Sequence, residues 1–187
     1  MKELSLNILD IVQNSLSARS TIVEIELEET DETLKVTVRD DGCGMSAEMV
    51  RNVTDPFCTT RTTRKVGLGI PLFKLAAEQT GGKLELSSTP ESESPDSHGT
   101  VISGLFYKKH LDFTPLGDIV STLGTLIQGC GDVDIVFTHR YGGQEVRLDT
   151  RELREILAGV PLNEPEVLIW IRDNLTEQYS QMPEAGI

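Results

Sequence analysis

The chain lacks the residue patterns that mark secreted, metal-stabilised and membrane-spanning proteins. It has three cysteines, Cys43, Cys58 and Cys130, whose spacing fits neither a disulfide framework nor a zinc site. No apolar run approaches the length that crosses a bilayer, and the first predicted helix starts almost at Met1 and carries Asp10, unlike a signal peptide. The sequence therefore predicts a cytoplasmic protein with no membrane partner.

Positive charge is also scarce. Lys and Arg number 17 against 30 Asp and Glu, which gives a formal net charge of -13. Because this surplus repels phosphate backbones, we expect no nucleic-acid partner. A nucleotide would need local positive charge or a divalent cation, and Arg61, Arg64 and Lys65 lie in one segment.

Several motifs of nucleotide-binding and catalytic proteins are missing. The sequence contains no Walker-type glycine loop, no dinucleotide fingerprint, no His-Glu-x-x-His and no protein-kinase catalytic loop. A nucleotide site in this chain must therefore be built in another way.

A polar stripe runs along the first predicted helix, residues 3–18. The amide oxygen of Asn14 can ligate a hard cation that bridges phosphates, and the Asp10 carboxylate one turn away can accept a proton from an attacking water or hydroxyl. The alternative is the solvated face of an amphipathic helix. The stripe consists of residues three or four positions apart, Asn7, Asp10, Asn14 and Ser17.

An antiparallel hairpin follows the helix, because residues 23–28 and 34–39 alternate apolar and polar side chains. Its second strand ends at Asp40, which can accept a hydrogen bond from the exocyclic amine of a purine. We expect Gly42 and Gly44 to take positive φ and let the backbone approach the ring. A plain turn at the end of a hairpin, where Asp-Gly is common, explains the same residues about equally well.

Residues 54–66 have no period and predict a long loop, whose Thr60 and Arg61 can contact phosphate oxygens. Gly67-Leu68-Gly69 then opens a helix to about residue 79, and the free amides at a helix start favour phosphate. The alternatives are a flexible polar loop and a tight turn. Strands at 84–86 and 100–106 follow, and the Thr100 hydroxyl is expected to donate to a phosphate. The connection 89–98 between them is expected to be exposed, including His98.

The character of the sequence changes after Tyr107. We expect two units, a nucleotide-binding domain at 1–109 and a C-terminal extension at 110–187 that either packs on this domain or binds a protein partner. Ile169 and Trp170 lie in an apolar pattern that predicts core packing. The extension is predicted to contain a helix from Pro115 to about Gln128, a hairpin around Tyr141-Gly142-Gly143, and two short helices with capping boxes at Asp149/Glu152 and Asn163/Glu166.

In this order, the segments resemble the GHKL superfamily of gyrase-type topoisomerases, Hsp90, histidine kinases and MutL-type repair proteins. The resemblance covers roughly residues 1–106. Asn14 matches the metal-ligand asparagine of the first motif, and Asp10 stands where the family has Glu. Asp40, Gly42 and Gly44 match its Asp-x-Gly-x-Gly motif.

The later motifs divide within the superfamily. Residues 13–18 and 41–45 resemble the MutL type, whereas the segment from Asp55 to Ile70 resembles a histidine kinase. The chain is thus most similar to the histidine-kinase-type ATP-binding domain. It shows no helical phosphoacceptor region, so a phosphoacceptor is expected on another protein.

The resemblance implies an α+β fold, a two-layer α/β sandwich with helices on one face of a mixed, mostly antiparallel sheet. It implies ATP and Mg²⁺ as cofactors, with Asp10 as the catalytic residue and Asn14 as the metal ligand. The implied nucleotide contacts are Asn14, Asp40, Gly42, Gly44, Met45, Thr60, Arg61, Gly67, Leu68, Gly69 and Thr100.

Two functions follow from the resemblance. One is an ATP-dependent protein kinase, for histidine or serine, or an ATPase, that acts on an unidentified protein partner in signal transduction. The other is an ATP-dependent switch without significant catalysis, which the shorter side chain of Asp10 favours. A hydrolysing clamp that dimerises on ATP is a weaker third idea, and the oligomeric state stays open.

Overall fold

A mixed sheet of six strands forms one layer of the molecule, in the order β3-β4-β2-β1-β5-β6. The computed structural model describes residues 3–54 and 69–182. Its elements are α1 (Leu4–Ser17), β1 (Ile22–Glu29), β2 (Thr33–Asp40), α2 (Ala47–Val53), α3 (Gly69–Gln79), β3 (Lys83–Thr89), β4 (Gly99–Tyr107), α4 (Ile119–Gly129), β5 (Asp134–Tyr141), β6 (Gln144–Asp149), α5 (Thr150–Leu157) and α6 (Pro165–Ser180).

Side-chain alternation decides which face of the sheet is covered. In β1, Val23, Ile25 and Leu27 are buried while the glutamates between them face outward. The helices α3, α1, α4 and α6 pack side by side over the apolar face, and one core fills the space between the layers. Every described strand pair is antiparallel except β1 with β5. The predicted α+β sandwich is therefore confirmed.

The hairpin β5–β6 continues the same sheet. Residues Ile22–Glu28 of β1 pair in parallel with Asp134–Arg140 of β5. The boundary expected at residue 109 thus falls between two strands of one sheet.

The helix predicted from Pro115 begins four residues later, at Ile119. Asp118 caps it, accepting a 2.9 Å hydrogen bond from the Ser121 amide. The backbone before the cap is used elsewhere: the carbonyl of Pro115 accepts from the amide of Leu4 at 2.9 Å. Residues 115 and 116 thereby satisfy free amides at the start of α1 instead of entering a helix of their own.

The last helix differs most from the sequence prediction. It is one helix of 16 residues, its N-cap is Glu164, and no side chain caps it, so the capping box expected at Asn163 is wrong. Ile169 and Trp170 are 50% and 53% exposed, which contradicts their expected core packing. The inward positions are held by Val167, Ile171 and Leu175 instead.

A buried polar cluster lies at the end of β1 away from Asp40. Nε2 of the fully buried His139 donates to Glu29 at 2.8 Å, and the hydroxyl of Tyr179 on α6 lies 2.9 Å from Nδ1. Lys108 also pairs with Glu29. Burial alone would raise the pKa of Glu29, but these hydrogen bonds outweigh it and hold the pKa below its usual value. The cluster ties α6 to β1 and to the end of β4.

Candidate functional site

The carboxylate of Asp40, the last residue of β2, is held from both sides. The Ser15 hydroxyl of α1 donates to Oδ2 at 2.6 Å, and the Gly42 amide donates to Oδ1 at 2.9 Å. Each carboxylate oxygen has a second lone pair, so the group can still accept a hydrogen bond from a ligand. Because Asn14 is the chain neighbour of Ser15, the predicted metal-ligand helix and the predicted base acceptor lie at one place.

The neighbouring Asp41 is used differently. Its Oδ1 accepts from the amides of Thr21 at 2.7 Å and Ile22 at 3.0 Å, and its Oδ2 from the Thr21 hydroxyl. Burial raises the pKa of Asp41, but these donors outweigh it and keep the pKa below normal. Asp41 therefore anchors the start of β1, which leaves Asp40 as the carboxylate suited to a ligand.

The two glycines after Asp41 serve different purposes. Gly44 has φ +66°, and a Cβ there would lie 2.0 Å from the carbonyl oxygen of Thr89. Gly42 does not have a positive φ, contrary to the sequence prediction. A side chain at Gly42 would instead collide with α1, since its Cβ would lie 2.8 Å from Cβ of Ala18. Both positions thus need glycine, one for its backbone angle and one for close packing.

The stripe on α1 meets the start of α3. Asp10 and Asn14 are both partly exposed and one turn apart, and a Cβ on Gly69 would lie 2.7 Å from Cβ of Asp10. Asn7, at the other end of the stripe, is buried, and its amide nitrogen meets no acceptor within the described ranges. No described residue hydrogen-bonds to the Asp10 carboxylate.

Three polar side chains form a row across β3, β4 and β2, which we call the polar row: Ser88, Thr100 and Asp40. Thr100 pairs with Ser88 on one side and with Asp40 on the other, so all three lie on the helix-covered face. The Ser88 hydroxyl lies 2.8 Å from that of Thr100 and accepts from the Met45 amide at 2.8 Å. The register thus sets Thr100 beside Asp40, and its hydrogen bond to a phosphate stays a prediction.

The connection between β3 and β4 packs onto the loop after Asp40. Nδ1 of His98 lies 2.6 Å from the carbonyl oxygen of Gly42, so this nitrogen carries a proton. The Glu91 amide donates to the carbonyl of Cys43 at 3.0 Å. His98 is partly buried, not an exposed loop residue as predicted.

Sequence reasoning missed Ser15, Ser88 and His98. Ser15 is next to Asn14 in the chain, and Ser88 continues the inward positions Leu84 and Leu86 of β3. The positions of both serines could therefore have been predicted from the sequence. Their hydrogen-bond partners lie on other elements and could not be predicted from the sequence. Of the predicted contacts, Thr60, Arg61, Gly67 and Leu68 lie outside the described residues.

The oxygen donors suit Mg²⁺. The amide oxygen of Asn14 is a hard ligand, and Mg²⁺ commonly takes one or two protein ligands together with phosphate and water. No group of three or more His, Cys, Asp and Glu side chains that could hold a metal occurs in residues 3–54 and 69–182. A cation here would thus complete its coordination with phosphate oxygens and water.

Comparisons with known proteins found relatives of this chain by sequence and by fold. A family model described as "Histidine kinase-, DNA gyrase B-, and HSP90-like ATPase" matches residues 1–109. Signal transduction histidine-protein kinase AtoS of Escherichia coli is 29% identical over 90 residues, 48% of this chain and 15% of that protein. The chain spans less than a fifth of the length of the curated relatives it matches.

Among solved structures, the Aquifex aeolicus MutL ATPase domain complexed with ADP matches with a TM-score of 0.54 at 15% identity. The match covers 84% of this chain and 70% of that chain, and it shows a shared fold. No helix in the described ranges is long and apolar enough to cross a membrane. The family resemblance predicted from the motifs is confirmed, and this chain belongs to the histidine kinase-, DNA gyrase B- and HSP90-like ATPase family.

Proposed function

We propose that this chain binds ATP with Mg²⁺ between α1, the loop after β2 and the start of α3. One observation carries the proposal: Ser15 and Gly42 fix the Asp40 carboxylate and leave each of its oxygens a lone pair, which would accept from the adenine amine. Asn14, one residue from Ser15, would ligate Mg²⁺, which neutralises phosphate charge when bound. The other proposed contacts are Gly42, Gly44, Met45, Thr60, Arg61, Gly67, Leu68, Gly69 and Thr100.

The proposed activity is phosphoryl transfer from ATP to a side chain of a protein partner. Asp10 would accept the proton of the attacking group, because it lies one helical turn from Asn14 and no described residue occupies its carboxylate. The relationship to a signal transduction histidine-protein kinase supports a kinase role, although this chain spans only 15% of that protein. Transfer of this type depends mainly on positioning and charge stabilisation.

A second candidate is a switch that binds ATP and changes its affinity for a partner without chemistry. It is favoured by Asp10, whose side chain is one methylene shorter than Glu.

Titration calorimetry with ATP and Mg²⁺, with GTP as the control nucleotide, tests the binding proposal. We expect saturable binding of ATP and much weaker binding of GTP. No heat with either nucleotide, checked by an absent shift in thermal unfolding, would exclude the proposed site.

Incubation with labelled ATP and candidate partners separates the two functions. If the chain is a kinase or ATPase, label transfer or phosphate release falls in Asp10→Ala and persists in Gln13→Ala, an exposed neighbour on α1. ATP binding without turnover in the wild type, and with equal affinity in Asp10→Ala, identifies the switch.

A further inference from the structure

The hydrogen bonds around Ser88 can be assigned to donors and acceptors one by one. A hydroxyl has one proton and two lone pairs. The Met45 amide can only donate, so it takes one lone pair of Ser88 at 2.8 Å. The carbonyl of Gly99, 3.0 Å away, can only accept, so it takes the proton of Ser88. The third contact, at 2.8 Å to the Thr100 hydroxyl, is then a hydrogen bond only if Thr100 donates.

This assignment leaves Thr100 with no free proton. Both of its remaining lone pairs are acceptors, and Thr100 pairs directly with Asp40 between β4 and β2. Side chains paired in this way have Cβ atoms about 5 Å apart. The two members of the polar row nearest the proposed base therefore present acceptors only.

Two neighbouring acceptors discriminate between purines. The 6-amino group of adenine donates hydrogen bonds, whereas the 6-oxo group of guanine or hypoxanthine is itself an acceptor. An acceptor that meets an acceptor leaves both groups unpaired, and a site of this kind rejects the wrong ligand more strongly than shape alone does.

We propose that Ser88 determines base specificity by fixing the Thr100 hydroxyl as an acceptor. Ser88 acts through Thr100 and is a positioning residue, because its own hydrogen-bonding capacity is filled by Met45, Gly99 and Thr100. The inference rests on the proposed binding of ATP. Ser88 lies on β3 and would be a residue of the nucleotide site that none of the sequence motifs contains.

A purely structural role for Ser88 would have a different signature. Ser88 also holds the Met45 amide, so its loss could loosen the loop after Asp40 and weaken every nucleotide equally. The ratio of two dissociation constants removes such a common effect. The ratio for inosine triphosphate over ATP is the right measure, because the two bases differ only in the group at position 6 and in the proton that hypoxanthine carries on N1.

Calorimetry on wild type, Ser88→Ala and Ser88→Thr tests the inference, with Ser87→Ala as the matched control on the exposed face of β3. In Ser88→Ala the Thr100 hydroxyl can turn and donate to a 6-oxo group, so the ratio should fall about five- to tenfold, as for one hydrogen bond. Ser88→Thr keeps a hydroxyl and should keep the ratio, as should Ser87→Ala. An unchanged ratio in Ser88→Ala overturns the inference.

Thr100→Val supplies an independent test that needs no change in Ser88. It removes the acceptor, so the ratio should fall, and adding Ser88→Ala should change it no further because both act through one hydroxyl. Additive effects in the double variant overturn the inference, as does equal binding of both nucleotides by the wild type. A wild type that binds neither nucleotide instead refutes the proposed function, and the inference with it.

Discussion

The hydroxyl of Ser15 donates a 2.6 Å hydrogen bond to Oδ2 of Asp40, joining residues 25 positions apart in the chain. This bond connects the helix that carries Asp10 and Asn14 to the end of β2. The groups proposed to hold the phosphates and the base are therefore fixed relative to each other before any ligand arrives, which reduces the ordering cost of binding.

Asp40→Asn should weaken ATP binding by at least about tenfold, because a charge-assisted hydrogen bond contributes roughly 1.5–3 kcal/mol. The variant should still fold, since Asn is isosteric with Asp and its amide oxygen can keep accepting from the Gly42 amide. Asp41→Asn is the matched control and should lose roughly 1–2 kcal/mol of unfolding free energy with little change in affinity, because Asp41 accepts from Thr21 and Ile22. Calorimetry measures the affinity and urea unfolding measures the stability. If Asp41→Asn weakened ATP binding and Asp40→Asn did not, Asp41 would be the ligand-binding carboxylate.

Gly69→Ala should damage the site, since the added Cβ would lie 2.7 Å from Cβ of Asp10. We expect a loss of roughly 1–3 kcal/mol of unfolding free energy, as for overpacking, together with weaker nucleotide binding. Gly124→Ala in α4 meets nothing within 4 Å and should stabilise the protein by about 0.5–1 kcal/mol. Urea denaturation of both variants checks this, and a Gly69→Ala protein as stable as the wild type would show that α3 can shift freely.

Glu29→Gln should lower the unfolding free energy at neutral pH by roughly 2 kcal/mol, because it removes a charged partner of His139 and Lys108. The pKa of Glu29 is lower in the folded state than its usual 4.5, so its ionised form stabilises the fold above that pH. The difference between wild type and variant should shrink as the pH falls below about 4.5 and through the folded-state pKa.

The adjacent Glu28 provides the control for this prediction. It pairs with Lys35 at 2.8 Å, but both side chains are 47% exposed, so Glu28→Gln should cost about 0.5 kcal/mol or less. Unfolding measured between pH 3 and 7 would contradict the assignment if the two variants showed the same pH dependence.

Trp170→Ala should change stability by less than about 0.5 kcal/mol, as expected for an exposed position. Its neighbour Ile171 is fully buried, and Ile171→Ala should cost roughly 2–5 kcal/mol. Because Trp170 is the single tryptophan of the chain, its quenching by acrylamide in the native protein measures its exposure directly. Weak quenching would show that this face of α6 is covered in solution.

Local patterns predicted the first half of the fold well. The alternation in residues 23–28 and 34–39 gave the hairpin, and the spacing of Asp10 and Asn14 gave their common helical face. Both depend on neighbours within a few positions. Of the predicted capping pair Asp149 and Glu152, the role of Asp149 is confirmed, since it is the N-cap of α5 and accepts from the Arg151 amide.

Long-range partners could not be read from the sequence. The contact of Ser88 with Thr100 depends on which strands pair and in which register, so no local pattern predicted it. The inward face of α6 was misjudged because Trp170 and Ile169 are apolar but half-exposed, whereas Val167 and Ile171 are buried. Residues 115 and 116, which were predicted to be helical, instead accept hydrogen bonds from amides of α1, more than a hundred positions away in the chain.

The parallel pairing of β1 with β5 has a consequence for how the chain reaches its native state. Among the described residues, β2, β3, β4 and three helices lie between the two strands, so their pairing requires the closure of a very long loop. Contacts of this separation slow folding, and β1 keeps an open edge until β5 arrives. During synthesis, β1 emerges from the ribosome well before its partner, and in that interval its unpaired amides and carbonyls from Ile22 to Glu28 are a template for aggregation.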